Sequence, residues 1–241
     1  MGSAVAASLR ERGETVLWAS AGRSAATTER AVAAGLEDAR KPAELCRHCD
    51  VLFSICPPHA ALDVAELASG FRGIYVDANA IAPKTARAVA AMHERFVDGG
   101  IVGPPPLQPG TTRLYLSGGE AEDIVALFAG TTVDARAISS EPGAASALKA
   151  AYAGWTKGSA ALLLAVRELA RAEGIEEALL AEWQLSLPEL EERLAGAERS
   201  ARRKGWRWIG EMEEISLTMA GQDLPPGFHE AAAEIFRRYS G

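Results

Sequence analysis

Apolar residues recur along this chain in two rhythms. Up to about residue 140, short apolar runs alternate with segments of helical period. The runs at 15–18, 51–56, 73–77, 96–100 and 113–117 predict strands. The segments at 27–34, 59–68, 83–95 and 121–128 predict helices, several of them closed by glycine or opened by proline. Such alternation predicts an α/β fold with a mostly parallel sheet and helices on both faces. After Pro142 only the helical period remains. Helices are predicted at 143–173, 176–185, 188–203, 206–220 and 228–239, the first about 45 Å long if continuous. The expected organisation is an α/β domain over 1–140 and an all-α domain over 141–241, entered through that long helix.

The chain opens on a helix, with Met1, Val5 and Leu9 at i, i+4, i+8 and Gly13 as its stop. Helix, glycine, strand is the second half of a βαβ unit. The expectation is that the first strand and its phosphate-binding glycine turn lie upstream of Met1 and are missing here, which puts the pyrophosphate part of a nucleotide site in question.

Composition narrows the function classes. Apolar residues make up 48% of 241 residues, enough for a substantial core, and the net charge of −7 argues against nucleic acid or an anionic membrane as partner. No apolar run approaches the roughly 18 residues of a membrane span, and no signal peptide opens the chain, so a cytoplasmic protein is expected. Cys46 and Cys49 form a CxxC with no second pair to complete four ligands. Together with Cys56 they read as reduced thiols, and no metal is expected.

Candidate chemistry gathers at predicted strand ends. Arg23 and Ser24 follow the strand at 15–18, where an acidic residue would hold the ribose hydroxyl of NAD. A guanidinium and a hydroxyl suit a 2′-phosphate, so NADP is favoured over NAD. Cys56 and Pro57 end the next strand, where they would pack against the cofactor. His59 reads as a helix-start residue or a general acid. Asn79 offers a neutral donor and acceptor for a carboxamide or a substrate oxygen, against the alternative of an Asx turn. The run from Asp98 through Pro106 combines three glycines, whose amides would approach an anionic group, with three prolines that stiffen the loop. On the long helix, Ser146, Lys149, Tyr152, Ala153 and Thr156 share one face. A lysine on a small, apolar face reads as an acid–base group, with burial expected to lower its pKa; a structural ion pair is the alternative.

Together these positions resemble the 6-phosphogluconate and β-hydroxyacid dehydrogenase superfamily over nearly the whole chain. Met1-Gly2 looks like the end of that family's GxGxMG turn, and Arg23-Ser24 like its NADP-selecting Asn-Arg-Ser/Thr. Asp98 through Pro104 corresponds to its Asp-Ala-Pro-Val-Ser-Gly-Gly substrate loop. Asp98 and Gly103 match, Val102 stands where the family has serine, and Pro104 replaces the last glycine. Gly143, Ala145, Lys149 and Ala153 correspond to Gly-x-Gly-x-x-x-Lys-x-x-x-Asn. The lysine is kept and the asparagine is not.

The resemblance implies a Rossmann-like domain followed by an all-α domain, and an NADP-dependent dehydrogenase acting on the CH–OH or carbonyl of a small polar or acidic metabolite. It implies Lys149 as general acid/base with Tyr152 beside it. Gly2, Arg23, Ser24, Cys56, Pro57 and Asn79 would contact the cofactor, and Asp98, Gly100, Val102, Gly103 and Ser146 the substrate. The helical half, with Trp155, Trp183, Trp206 and Trp208, implies a homodimer. Arg199, Arg202, Arg203 and Lys204 read as a solvated face ahead of a substrate-anion site. Two alternatives stand beside this: a truncated, non-catalytic protein acting through its helical surface, and an imine reductase-like activity, against which the retained Lys149 counts.

Overall fold

The computed structural model describes residues 1–239. The chain divides into two compact units, Met1–Lys149 and Ala150–Gly241, and the division falls inside one helix.

The first unit runs α1 (Gly2–Glu11), β1 (Leu17–Trp18), α2 (Ala25–Ala33), β2 (Glu37–Asp38), α3 (Pro42–His48) and β3 (Val51–Ser54). A 3₁₀ turn (Pro58–Ala60) leads into α4 (Ala61–Leu67), β4 (Ile74–Asp77), α5 (Pro83–Ala90), β5 (Phe96–Val102), β6 (Thr112–Ser117), α6 (Ala121–Leu127), β7 (Val133–Ser139) and the start of α7 (Ala144–Ala172). The described strands form two sheets. β1 and β2 pair in parallel, and the other five lie in the order β3-β4-β5-β6-β7. Only the β5–β6 pairing is antiparallel.

The five-stranded sheet is covered on both faces, as parallel strands require. On one face Val76, Val97, Leu114 and Leu116 pack with Val5 and Leu9 of α1, with Ile124 of α6 and with Phe128 at its end. On the other, Tyr75 and Phe96 pack with Ala65, Ala68, Phe71 and Val89. Fully buried side chains such as Val76, Leu114, Leu116 and Ile124 each contribute about 1.5–3 kcal/mol through removal from water.

The second unit contains the remainder of α7, then α8 (Glu176–Ser186), α9 (Glu189–Ala220) and α10 (Gly227–Arg238). Leu164, Met212, Ile215 and Phe236 centre its core, with Trp208 edge-on to Phe236 at 5.1 Å. Gly154 and Gly158 let α10 approach α7. A Cβ at Gly154 would meet His229 Nε2 at 3.1 Å, and one at Gly158 would meet the Phe228 ring at 3.3 Å. Glu211, buried in this core, pairs with Lys157 and Arg207.

Three elements were not expected: β2, α3 and β7. The predicted helices at 188–203 and 206–220 are one helix of 32 residues. Gly205, between the two predicted segments, is buried in the packed face, and tertiary packing outweighs its local cost of about 1 kcal/mol. α5 stops at Ala90, ahead of the predicted 95. The next residues turn so that the His93 ring stacks on Tyr75, centroids 4.0 Å apart.

Candidate active site

The carboxyl ends of β1, β3 and β4 carry the residues expected at the cofactor. Gly2, in the first turn of α1, lies against Ile55; a Cβ there would sit 3.6 Å from the Ile55 Cβ. Cys56 follows directly. Burial raises its thiol pKa, while Ser54, Arg23 and Asn79 act the other way. Arg23 is therefore close enough to Cys56 for its charge to be felt, although it stands in a different loop. Its guanidinium is exposed, and no ion pair engages it among the described residues. Pro57 is exposed beside Cys56. Ser24 is exposed too, but its Oγ caps α2, accepting from Thr27 N at 3.3 Å. His59 sits exposed in the 3₁₀ turn, in keeping with a helix-start residue.

Asn79 is placed differently from the expectation. It is buried and its polar atoms are engaged by the chain itself. Its Nδ2 donates to Ser54 Oγ at 2.9 Å and to Asp77 Oδ2 at 3.0 Å, and its Oδ1 accepts from Cys56 N at 2.5 Å. With Asn79 N donating to Asp77 Oδ1 at 3.0 Å, this is the Asx-turn alternative, extended to tie the ends of β3 and β4 together.

The glycine-rich run also has another physical basis than the one expected. Gly99 and Gly100 are buried inside β5, paired opposite Leu116 and Tyr115 of β6, and so stand in a strand and not in an open loop. Gly99 is tightly packed, since a Cβ would lie 3.0 Å from the Asp77 carbonyl. Gly100 admits α7, and a Cβ there would lie 2.8 Å from the Ala145 carbonyl and 3.1 Å from the Lys149 Cβ. Gly103 has φ +123, and its missing side chain would strike the Thr111 carbonyl. Val102 is buried at the end of β5. Pro104 and Pro106 are fastened through their carbonyls by Thr112 and Thr132, at 2.6 and 2.8 Å.

Asp98 and Ser146 come together, and they do so with each other. Asp98 is fully buried. Its Oδ1 accepts from Ser146 Oγ at 2.6 Å. Its Oδ2 accepts from Ser146 N at 2.8 Å, Gly143 N at 3.0 Å and Ser117 Oγ at 3.1 Å. Burial raises its pKa, and these four donors oppose the rise by favouring the charged form. Asp98 is thus engaged by four donors of the chain itself and has no exposed surface.

Lys149, three residues beyond Ser146, is partly buried, and its Nζ donates to the Ile101 carbonyl at 2.6 Å. Tyr152 lies three residues further along α7 and is exposed. Sequence reasoning missed Asp77, Ser54 and Ser117. Asp77 is fully buried, and burial, with neighbouring Asp98 adding, pushes its pKa up to about 7 against the hydrogen bonds from Asn79. The three cysteines are free, and no metal-ligating cluster exists among the described residues.

A mostly parallel sheet with flanking helices, followed by an all-helical region, matches the fold of the hydroxyacid dehydrogenases. Residues 170–239 match a domain of unknown function, DUF1932. The conserved protein MTH1747 of unknown function, whose structure was described as similar to 3-hydroxyacid dehydrogenases, is 30% identical with a TM-score of 0.73. That match covers 98% of this chain and 92% of the other. An uncharacterized 28.5 kDa protein of Methanothermus fervidus is 32% identical over 162 residues, a match that spans 66% of this chain and 63% of that protein's length. In fold, the chain is also similar to 3-hydroxyisobutyrate dehydrogenase from Salmonella typhimurium (18% identity, TM-score 0.67, 98% and 90% covered). It is similar as well to Psf3, solved in complex with NADP+ and 2-OPP (19%, TM-score 0.66, 99% and 90% covered). The chain belongs to the 6-phosphogluconate and β-hydroxyacid dehydrogenase-like superfamily.

Proposed function

We propose that this protein is an NADP-dependent oxidoreductase that interconverts an alcohol and a carbonyl on a small polar or acidic metabolite, with Lys149 as general acid/base. The observation that carries the proposal is the Lys149 amine, held by the Ile101 carbonyl at the end of β5, on the helix that follows the last strand.

The residues present fit the cofactor. Gly2 brings a helix start without a Cβ to the end of β3, and the exposed Arg23 guanidinium, with no acidic partner among the described residues, suits a 2′-phosphate. Cys56 and Pro57 would line the cofactor's flank; Ser24 and Asn79 would act through the turns they stabilise. A bound nicotinamide supplies the hydride acceptor. In the oxidative direction the neutral Lys149 amine takes the proton of the substrate hydroxyl as the hydride leaves its carbon. In reduction Lys149 returns that proton to the carbonyl oxygen. The Ile101 carbonyl orients the amine by accepting one of its hydrogens, and the exposed phenol of Tyr152 lies one helical turn away.

A homodimer belongs to the same proposal. Tyr152, Trp155, Leu162 and Leu169 form an exposed apolar stripe along α7, which a second copy would cover. No helix among the described residues is long and apolar enough to cross a membrane.

The test is a screen of small hydroxy acids and polyols for NADP reduction, repeated with Lys149→Ala. Loss of a general acid/base should lower kcat by about 10²–10⁴ while leaving NADPH affinity unchanged. An unchanged kcat removes Lys149 from the chemistry.

A further inference from the structure

Four polar residues lie in one row across the sheet. Ser54 pairs with Asp77, Asp77 with Asp98, and Asp98 with Ser117, on strands β3, β4, β5 and β6 in turn. All four are buried. Buried polar groups in the middle of a sheet face demand partners. At the Asp98–Ser117 end those partners are the first turn of α7.

An α-helix begins with amide donors that have no partner inside the helix. In most helices a neighbouring serine, threonine or aspartate in sequence caps them. In α7 the cap comes from the sheet. Gly143 N and Ser146 N donate to Asp98 Oδ2, and Ala145 N donates to Ser117 Oγ at 3.0 Å. The Ser146 hydroxyl adds a fourth bond, to Asp98 Oδ1. The carboxylate also sits at the positive end of the helix dipole, which favours its charged form.

The Asp98 cap fixes more than the helix end. Two oxygens that grip both the amide and the hydroxyl of Ser146 set the rotation of α7 about its axis as well as its height above β5. Lys149 is one helical step further, on the same face, and it meets β5 again at Ile101, with Gly100 between the two contacts leaving room for the helix.

We propose that Asp98 is a positioning residue for Lys149, acting through Ser146 and the first turn of α7. Asp98 thus takes part in the function without touching substrate, and Ser146 is its adaptor. The functional consequence rests on the reading of Lys149 as acid/base; the positioning itself does not.

The experiment measures the rate at which acetic anhydride acetylates Lys149 in the full chain, by peptide mass spectrometry, across pH 6–10. It compares wild type with Asp98→Asn, Ser146→Ala and Ile124→Ala. The last is a buried residue on the opposite face of the sheet and serves as a control for general destabilisation. Asp98→Asn and Ser146→Ala should change the Lys149 rate by roughly tenfold, the scale set by losing a charge-assisted bond. Lys41 and Lys84 should keep their rates, and Ile124→Ala should leave Lys149 as in wild type. If Asp98→Asn does not fold, Ser146→Ala decides, because it removes one bond and no charge. A Lys149 rate and pH profile unchanged in the folded variants, or changed equally by Ile124→Ala, overturns the proposal. No cofactor or substrate enters this measurement, so it can succeed while the oxidoreductase reading fails on NADPH binding, or the reverse.

Discussion

Gly100 lies directly under Lys149: a Cβ on the glycine would come within 3.1 Å of the lysine's own Cβ. The helix that carries the candidate acid/base is seated on a strand whose missing side chain makes the contact possible. Gly100→Ala would also drive a methyl to within 2.8 Å of the Ala145 carbonyl. Overpacking of this kind costs about 1–3 kcal/mol. Urea denaturation should show a loss of that size, and a full-stability variant would mean that α7 is not seated as described.

Asp77 gives the protein a stability that falls with rising pH between about pH 4 and pH 7. Its carboxyl pKa is raised from 3.8 to about 7 by burial, with Asp98 adding. The folded state therefore holds this proton over a range in which the unfolded chain has lost it. Stability from this group falls as pH rises from about 4 to about 7 and is level above. In Asp77→Asn that dependence is absent. The melting temperature of the variant relative to wild type should climb between pH 4 and pH 7 and then plateau. A constant offset would show that Asp77 does not titrate in this range.

His93 acts on the acid side. The imidazole is buried and stacked on Tyr75, and burial lowers its pKa from 6.5. The unfolded chain takes up the proton first. Stability from this group is present above pH 6.5 and is lost as pH falls below it. Neither ring nitrogen has a hydrogen-bond partner of good geometry among the described residues, and the Ala65 backbone nearby only partly opposes the effect of burial. His93→Phe keeps the stacked ring without the charge, so it should melt higher than wild type below pH 6 by differential scanning fluorimetry. Equal acid sensitivity in the two proteins would contradict the assignment.

The sequence and the structure agree most where pattern alone carries the information. The runs at 51–56 and 73–77 became β3 and β4 because continuous apolar residues suit strands buried on both faces. β7 was illegible for the opposite reason. Val133–Ser139 mixes Asp134 and Arg136 with small residues, as an edge strand can, and only pairing with β6 makes it a strand. β2, two residues long and exposed, is too short to show a period, whereas the apolar run at 15–18 became β1. Lys149 was expected on a small, apolar helical face, and it stands partly buried on α7 against the Ile101 carbonyl. The partnership of Asp98 with Ser146 was not legible, because they stand 48 residues apart. Asp98 was expected to contact substrate because the run from Asp98 through Pro104 resembles the family's substrate loop. Register across β4, β5 and β6 is what shows it to be the cap of α7. Asp77 escaped notice because nothing in its local sequence announces burial.

The most direct measurement is a fluorescence titration of this chain with NADPH and with NADH, run on wild type and Arg23→Ala. Binding should be saturable with NADPH preferred, and Arg23→Ala should lose that preference as the 2′-phosphate loses its guanidinium. No binding of NADPH at millimolar concentration would contradict the proposed NADP dependence.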